Sequence, residues 1–462
     1  MKKCFWLLLF LSVGPLSANE LLSSYEGVLI IEWGDSFNQE TNETVTKYYL
    51  QIDDHKVKLD FSNEMKNYSP INYWSGKSIR VKSLSVDFIS GGIQANSIEL
   101  LASQNQGSAI IGSQPWVSIL CKFSDKNNEP KNLNYFQNMY ANMPARLDHY
   151  WRELSYDKIN IVGSIAIDWV TLPSTQASYI TQPGSGDDSD LDQLFDDCTA
   201  AADPFIDYSN ADGKGNSFVG INMMFNDVLD CCAWGGNHFG TLDGLSKEWR
   251  VTWNPSWSYA QVSIISHEMG HGFGLPHSNN SDMDSNPYDN TWDIMSVPDT
   301  NVVIDPVYGW LGKHTNAYHK RLLGWIEESD GFIANVNTSN TIIIDAISIT
   351  ETTNYRMARI NLVDNSYYTV EVRKKIGNYE ANLPGDAVII HHVNNKRLEP
   401  SWVIDADNPP ADLSNTEGVM WKVGEIYADI ANGLEVEVLS ETINGFEINI
   451  VLTDIIYANG FE

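Results

Sequence analysis

The segment HEMGHGFGLPH, His267 to His277, places three histidines, a glutamate and a glycine at fixed intervals. His267 and His271 stand in an i, i+4 relation, so on a helix both imidazoles leave the same face, one turn apart. Zinc accepts imidazole nitrogen at about 2.0–2.1 Å in a tetrahedral set. Gly274 lets the chain leave the helix in a left-handed conformation, and the turn swings His277 back as a third donor. Glu268, beside the first ligand, reaches a water on the metal more easily than the metal itself. A metal lowers the pKa of such a water toward ~7, so Glu268 can take its proton. The fourth position then stays open for water and substrate, which meets each need of a metal-assisted hydrolase.

These residues need a frame. SYAQVSIISHEMGHGFG reads as a helix ending in glycines. Upstream, WVSILCKF, KINIVGSIAIDWVTL, SFVGINMMF and EWRVTW read as strands. Leu133 to Leu154 spaces its apolar residues as one amphipathic helix. A second helix is expected over Leu191 to Ala202, capped by Ser189 or Asp190. Alternating strands and helices over 109–330 predict an α/β layer domain. It is flanked by a small all-β domain over 19–108 and a β-sandwich-like domain over 331–452. SQNQGSAIIGSQP reads as the first linker, and 453–462 as a tail.

The 462-residue chain carries a net charge of -31, which repels nucleic-acid phosphate and anionic membrane surfaces. Lys2 and Lys3, an apolar run from Phe5 to Val13, and small residues at Ser17 and Ala18 predict a signal peptide over 1–18. No other run spans a bilayer, so a secreted, soluble monomer is expected. Cys4 leaves with the signal. Of Cys121, Cys198, Cys231 and Cys232, a bond from Cys198 to Cys231 or Cys232 is expected. A bond between the neighbours Cys231 and Cys232 is disfavoured as strained. Neither a G-x-S-x-G elbow nor a G-x-x-x-x-G-K phosphate loop occurs in the sequence.

The motif His267-Glu268-x-x-His271-x-x-Gly274-x-x-His277, followed by WDIMS at Trp292–Ser296, resembles the metzincin signature and its Met-turn. The resemblance implies zinc ligands at His267, His271 and His277, a general base at Glu268, and a structural methionine at Met295 beneath the metal. Some metzincins carry a tyrosine shortly after the methionine. Val297 and Pro298 stand there, so no tyrosine is carried over; Tyr308 is the nearest candidate downstream. WRELSYDKINIVGSIAIDWVTLP, NAYHKRLLGWI and YYTVEVRKKIGNYEANLPGDAVIIHHV are similar to exported peptidases related to gametolysin and immune inhibitor A. The segment between the signal and Cys121 contains no cysteine. A cysteine-based latency is therefore not expected, and an N-terminal domain that kept the enzyme latent would need another group.

Calcium is a second candidate ion. Asp282, Asp284 and Asp289 lie in the loop SNNSDMDSNPYDN, and Asp207, Asn210 and Asp212 in IDYSNADGKGN; neither follows the EF-hand spacing. His238 in WGGNHFG is read as a surface-loop histidine, with the cleft as the alternative. His314 and His319 are read as structural or exposed. The sequence thus predicts a secreted zinc endopeptidase acting on protein or peptide, with substrate extended along an edge strand of the catalytic sheet. The alternatives are a zinc amidase acting on cell-wall peptides and a non-catalytic β-rich adhesin with a relic site.

Overall fold

The structure is a computed structural model describing residues 22–37, 44–84, 86–87, 92–101, 109–284, 286–410 and 417–454. The segment expected to be a signal peptide, residues 102–108 and the residues beyond Asp454 lie outside the described residues. The protein is built from several sheets with few helices. Among the described residues, no helix is long and apolar enough to cross a membrane.

The largest sheet carries the site. Ile165–Thr171, Trp116–Lys122, Gly220–Phe225 and Leu245–Asn254 lie side by side and parallel. Ala233–Leu242 follows antiparallel to Leu245–Asn254. The N-terminal strand Ser23–Asp35 pairs antiparallel with Ala233–Leu242, with Glu32 opposite Gly236 and Asp35 opposite Ala233. Thr44–Ile52 and His55–Asp60 continue the sheet beyond it. Residues on either side of the expected linker therefore share one hydrogen-bonded sheet.

The central strands are apolar on both faces, as strands covered on both sides must be. Along Trp116–Lys122, Val117, Ile119 and Cys121 enter one core, while Trp116 and Leu120 enter the other. The helix Leu191–Ala202 closes the first core with Leu191, Leu194, Phe195, Cys198 and Ala202. Asp190 caps it, accepting from the Gln193 amide at 3.0 Å. The helix Val262–Gly272, bearing the histidine motif, is buried along its whole length and closes the second core.

The single helix expected over Leu133 to Leu154 is two, Leu133–Met139 and Leu147–Ser155. Pro144 has no N–H to donate, and Ala145 takes a left-handed φ of 68°. Met143, placed by periodicity in the apolar stripe, is 58% exposed at this break.

Two further sheets are built largely from the C-terminal third. One runs Ser278–Asn280, Ser401–Val403, Ala387–Val393, Tyr367–Arg373, Met357–Asn361 and Gly331–Ile333; the other runs Thr338–Asp345, Gly445–Leu452, Leu434–Glu441 and Ile426–Asp429. Val370, Val372, Ile390, Val436, Ile448 and Ile450 belong to the core they share. The first sheet begins with the residue that follows His277, so the third histidine leads directly into it.

The cysteines pair differently from expectation. Cys121 bonds to Cys198, with Cα atoms 5.9 Å apart, and Cys231 bonds to Cys232. The Leu191–Ala202 helix lays Cys198 against the strand that carries Cys121, and both belong to one apolar core. Peptide mapping without reduction should link the Cys121 and Cys198 peptides. Replacing both by alanine should cost about 2–5 kcal/mol, since the bond closes a long loop. A cross-link from Cys198 to Cys231 or Cys232 would contradict this pairing.

Candidate metal centre

The Val262–Gly272 helix presents His267 and His271 on one face. Their Nε2 atoms lie 3.1 Å apart. Gly274 takes a φ of +87° after the helix and turns the chain back. His277 then points inward, its Nε2 3.3 Å from that of His267 and 3.1 Å from that of His271. The other ring nitrogens fix the tautomers. His267 Nδ1 lies 2.6 Å from the Ile294 carbonyl oxygen, and His271 Nδ1 lies 2.8 Å from that of Leu275. A carbonyl only accepts, so these Nδ1 atoms donate and each Nε2 presents a lone pair. Two lone pairs 3.1 Å apart cannot satisfy one another. A shared cation satisfies both.

A fourth donor comes from the N-terminal strand. Asp35 Oδ2 lies 3.3 Å from the Nε2 of His267 and of His271, and Oδ1 lies 3.1 Å from that of His277. Bonds of about 2.0–2.1 Å to a tetrahedral ion put donors about 3.3–3.4 Å apart. The donor set therefore fits such an ion, and Asp35, His267, His271 and His277 are the residues that could hold it. Asp35 and His267 are fully buried. Burial would raise the Asp35 carboxyl, but the His277 charge and contacts from all three imidazoles hold it well below the usual carboxylate range. Burial pushes His271 down to about 3, which keeps it neutral and able to ligate.

Glu268 is buried beside this group, and neither carboxylate oxygen has a hydrogen-bond partner among the described residues. Burial, with Asp35 close by, pushes its carboxyl well above the usual range. Met295 lies beneath the helix. A Cβ added at Gly270 would stand 2.4 Å from its sulfur, so a larger residue there would have to displace the Met295 side chain. The Met295 carbonyl also accepts from the Ser278 amide at 3.2 Å, tying the Met-turn to the residue after His277.

The Met-turn is held from behind by buried charge. Asp293 accepts from the Met295 amide at 2.9 Å and from the Thr315 hydroxyl at 2.8 Å, and meets His319 Nδ1 at 2.9 Å. Arg373, on the C-terminal sheet, donates to the Trp292 carbonyl and to Glu380, and lies 3.2 Å from Glu371. His314 and His319 are both buried and structural.

Three sequence readings are corrected here. Tyr308 is not at the centre: its hydroxyl donates to the Tyr135 carbonyl at 2.9 Å. His238 is not on a surface loop. It lies on the strand Ala233–Leu242, buried, with Nδ1 3.4 Å from Asp192. Asp207 and Asp212 do not converge: each accepts from its own loop, Asp207 from Ser209 and Asp212 from Lys214 and Asn216. Asp282, Asp284 and Asp289 do converge, with ligand atoms within 4.8 Å of one another. Asp289 is 5% exposed and its Oδ2 has no partner among the described residues. Burial, with Asp282 and Asp284 alongside, pushes its carboxyl up to about 8.

Asp35 and Tyr288 also belong to the site, although the sequence pattern does not point to them. Tyr288, in the loop between His277 and the Met-turn, donates its hydroxyl to Asp35 Oδ1. No local signal singles out Asp35, since the strand end VLIIEWGD carries Glu32 as well.

A scan of protein-family models finds no match to this chain, and a search of curated proteins finds none either.

Replacing Arg373 with methionine leaves Glu371 and Glu380 buried without their cation. Unfolding free energy should fall by about 3–5 kcal/mol, since breaking a buried pair strands a charge. Thermal or denaturant unfolding reads this directly, and a change below about 1 kcal/mol would mean the network does not hold the Met-turn region.

Proposed function

We propose that the protein is a secreted zinc-dependent endopeptidase of metzincin type. The observation that carries this reading is the convergence of the Nε2 atoms of His267, His271 and His277 beside an unpaired, buried Glu268. The packing of Met295 beneath the helix and the run of parallel strands next to the antiparallel Ala233–Leu242 support it.

His267, His271 and His277 would hold the zinc. Bound there, the ion supplies Lewis acidity that polarises a scissile carbonyl and acidifies water. Glu268, with no competing hydrogen bond, accepts the water's proton and returns it to the leaving amine. Met295 packs under the helix and fixes the ligand-bearing face. Trp234 to Gly236 are paired on both sides, by Leu245–Asn254 and by Ser23–Asp35, so they offer no free edge to an extended substrate backbone.

A calcium ion is proposed at Asp282, Asp284 and Asp289, supported by the unpaired buried oxygen of Asp289. There it would brace the loop between His277 and Met295. Calcium should raise the melting temperature of the wild-type protein by a few degrees. Asp289→Asn should remove that increment, and an equal response in both proteins would exclude the site.

Glu268→Gln should retain one zinc per chain and lose about 10²- to 10⁴-fold in turnover. Zinc content and casein hydrolysis, measured on the protein as it accumulates outside the expressing cell, check this. A chelator should abolish wild-type hydrolysis and added zinc restore it. Zinc-loaded Glu268→Gln with full activity would remove Glu268 from its role. Hydrolysis of peptidoglycan fragments with none of casein would favour an amidase.

A further inference from the structure

We infer that the cavity lined by Lys77, Arg321 and Arg359 is a second ligand site, built for a small organic polyanion that carries two or three carboxylate or phosphate groups. The cavity has a volume of about 680 Å³, and none of His267, His271, His277 or Asp35 lines it. Pockets that take small molecules span about 300–1,000 Å³.

The three cations come from separate parts of the chain. Lys77 immediately precedes the strand Ser78–Ser83, Arg321 lies on the helix Ala317–Leu322, and Arg359 lies on the strand Met357–Asn361. Among the described residues none of them forms an ion pair. Yet the chain has 60 acidic residues against 29 lysines and arginines, so acids to match them are in surplus. Like charges gathered at one concavity repel one another until an anion sits among them. Glu328 is the one acid on the lining, and it is exposed and paired with none of the three. Burial lowers the Lys77 ammonium, with no acid beside it to offset the loss of water.

The polar groups around the cavity are held in place and left unused. Arg359 donates from Nε to Asn361 Oδ1 at 2.8 Å, and its guanidinium lies 3.8 Å from the centroid of the Tyr367 ring. These contacts fix the plane of the fork and leave its terminal amino groups uncommitted, the arrangement that takes a carboxylate or phosphate in two parallel bonds. Lys77 Nζ is held 4.0 Å from the Tyr73 ring centroid. The Ser75 hydroxyl lines the same cavity, buried and without a hydrogen-bond partner among the described residues. A buried donor left unmade is costly, and an oxyanion would accept from it. The cations gather at one cavity instead of following an edge, which suits a compact anion over an acidic chain. Phe273 and Gly274 also line the cavity, so an occupant would touch the turn that leads from His271 to His277.

The test is calorimetric titration of the full chain, at fixed ionic strength, with tricarballylate and with fructose 1,6-bisphosphate. A glutamate hexapeptide serves as the polymeric acid. Wild type should bind at least one of the two small probes saturably, at one site per chain, and the tighter probe tells carboxylate from phosphate. Arg321→Gln and Arg359→Gln should each weaken that binding by about 10- to 100-fold, as loss of a charge-assisted pair of bonds does. Arg321→Lys keeps the charge without the fork and should fall between, which guards against a folding defect in the glutamine variants. Lys214→Gln, which removes a cation from an exposed loop elsewhere, should bind as wild type does. Three results would each overturn the site: no saturable binding of either small probe to wild type, equal weakening by Lys214→Gln, or tighter binding of the hexapeptide than of both.

Discussion

An imidazole whose Nδ1 is tied to a carbonyl must offer a lone pair at Nε2. At His267 and His271 this is arranged twice on one helix face, through the carbonyls of Ile294 and Leu275. Much of the site's architecture follows from that constraint. The Leu275 carbonyl is in place because Gly274 turns the chain back after the helix. The Ile294 carbonyl is in place because the Met-turn lies under Gly270, where a larger residue would push it away. Helix, turn and Met-turn are thus each fastened through the nitrogens that do not face the centre, and outer-shell bonds of this kind orient metal ligands.

The same constraint explains why the C-terminal sheet belongs to the site. Ser278–Asn280, next to His277, pairs in parallel with Ser401–Val403. Arg373 reaches from that sheet to the Trp292 carbonyl. Burying Arg373, Glu371, Glu380, Asp293 and His319 together is expensive in desolvation unless each charge is met. The network meets them and joins the C-terminal sheet to the Met-turn. Residues far from the histidines in sequence therefore set where His277 and Met295 stand.

Some of this was legible in the sequence and some was not. The i, i+4 histidines, the exit glycine and the returning histidine were readable because all lie within one helix and its following turn, where spacing dictates direction. The helix Leu191–Ala202 was readable from its cap and apolar period. Asp35 was not, because nothing local marks it: it meets Tyr288 across 253 positions, through the pairing of two strands. The cysteine pairing failed for the same reason, since it depends on which helix lies over which strand. His238 was misread because glycines around it suggest a loop, while here they lie within the strand Ala233–Leu242. At Leu133 to Leu154 periodicity outweighed Pro144, and the proline decided.

His267, His271, His277 and Asp35 are proposed to enclose one zinc ion in the full chain. X-ray absorption at the zinc edge, recorded on purified full-length protein, tests it most directly. One zinc per chain is expected, with three imidazole nitrogens and one oxygen, in a coordination shell that changes when Asp35 is replaced by alanine. A chain purified without tightly bound metal, or one whose zinc shell lacks three imidazoles, would contradict it.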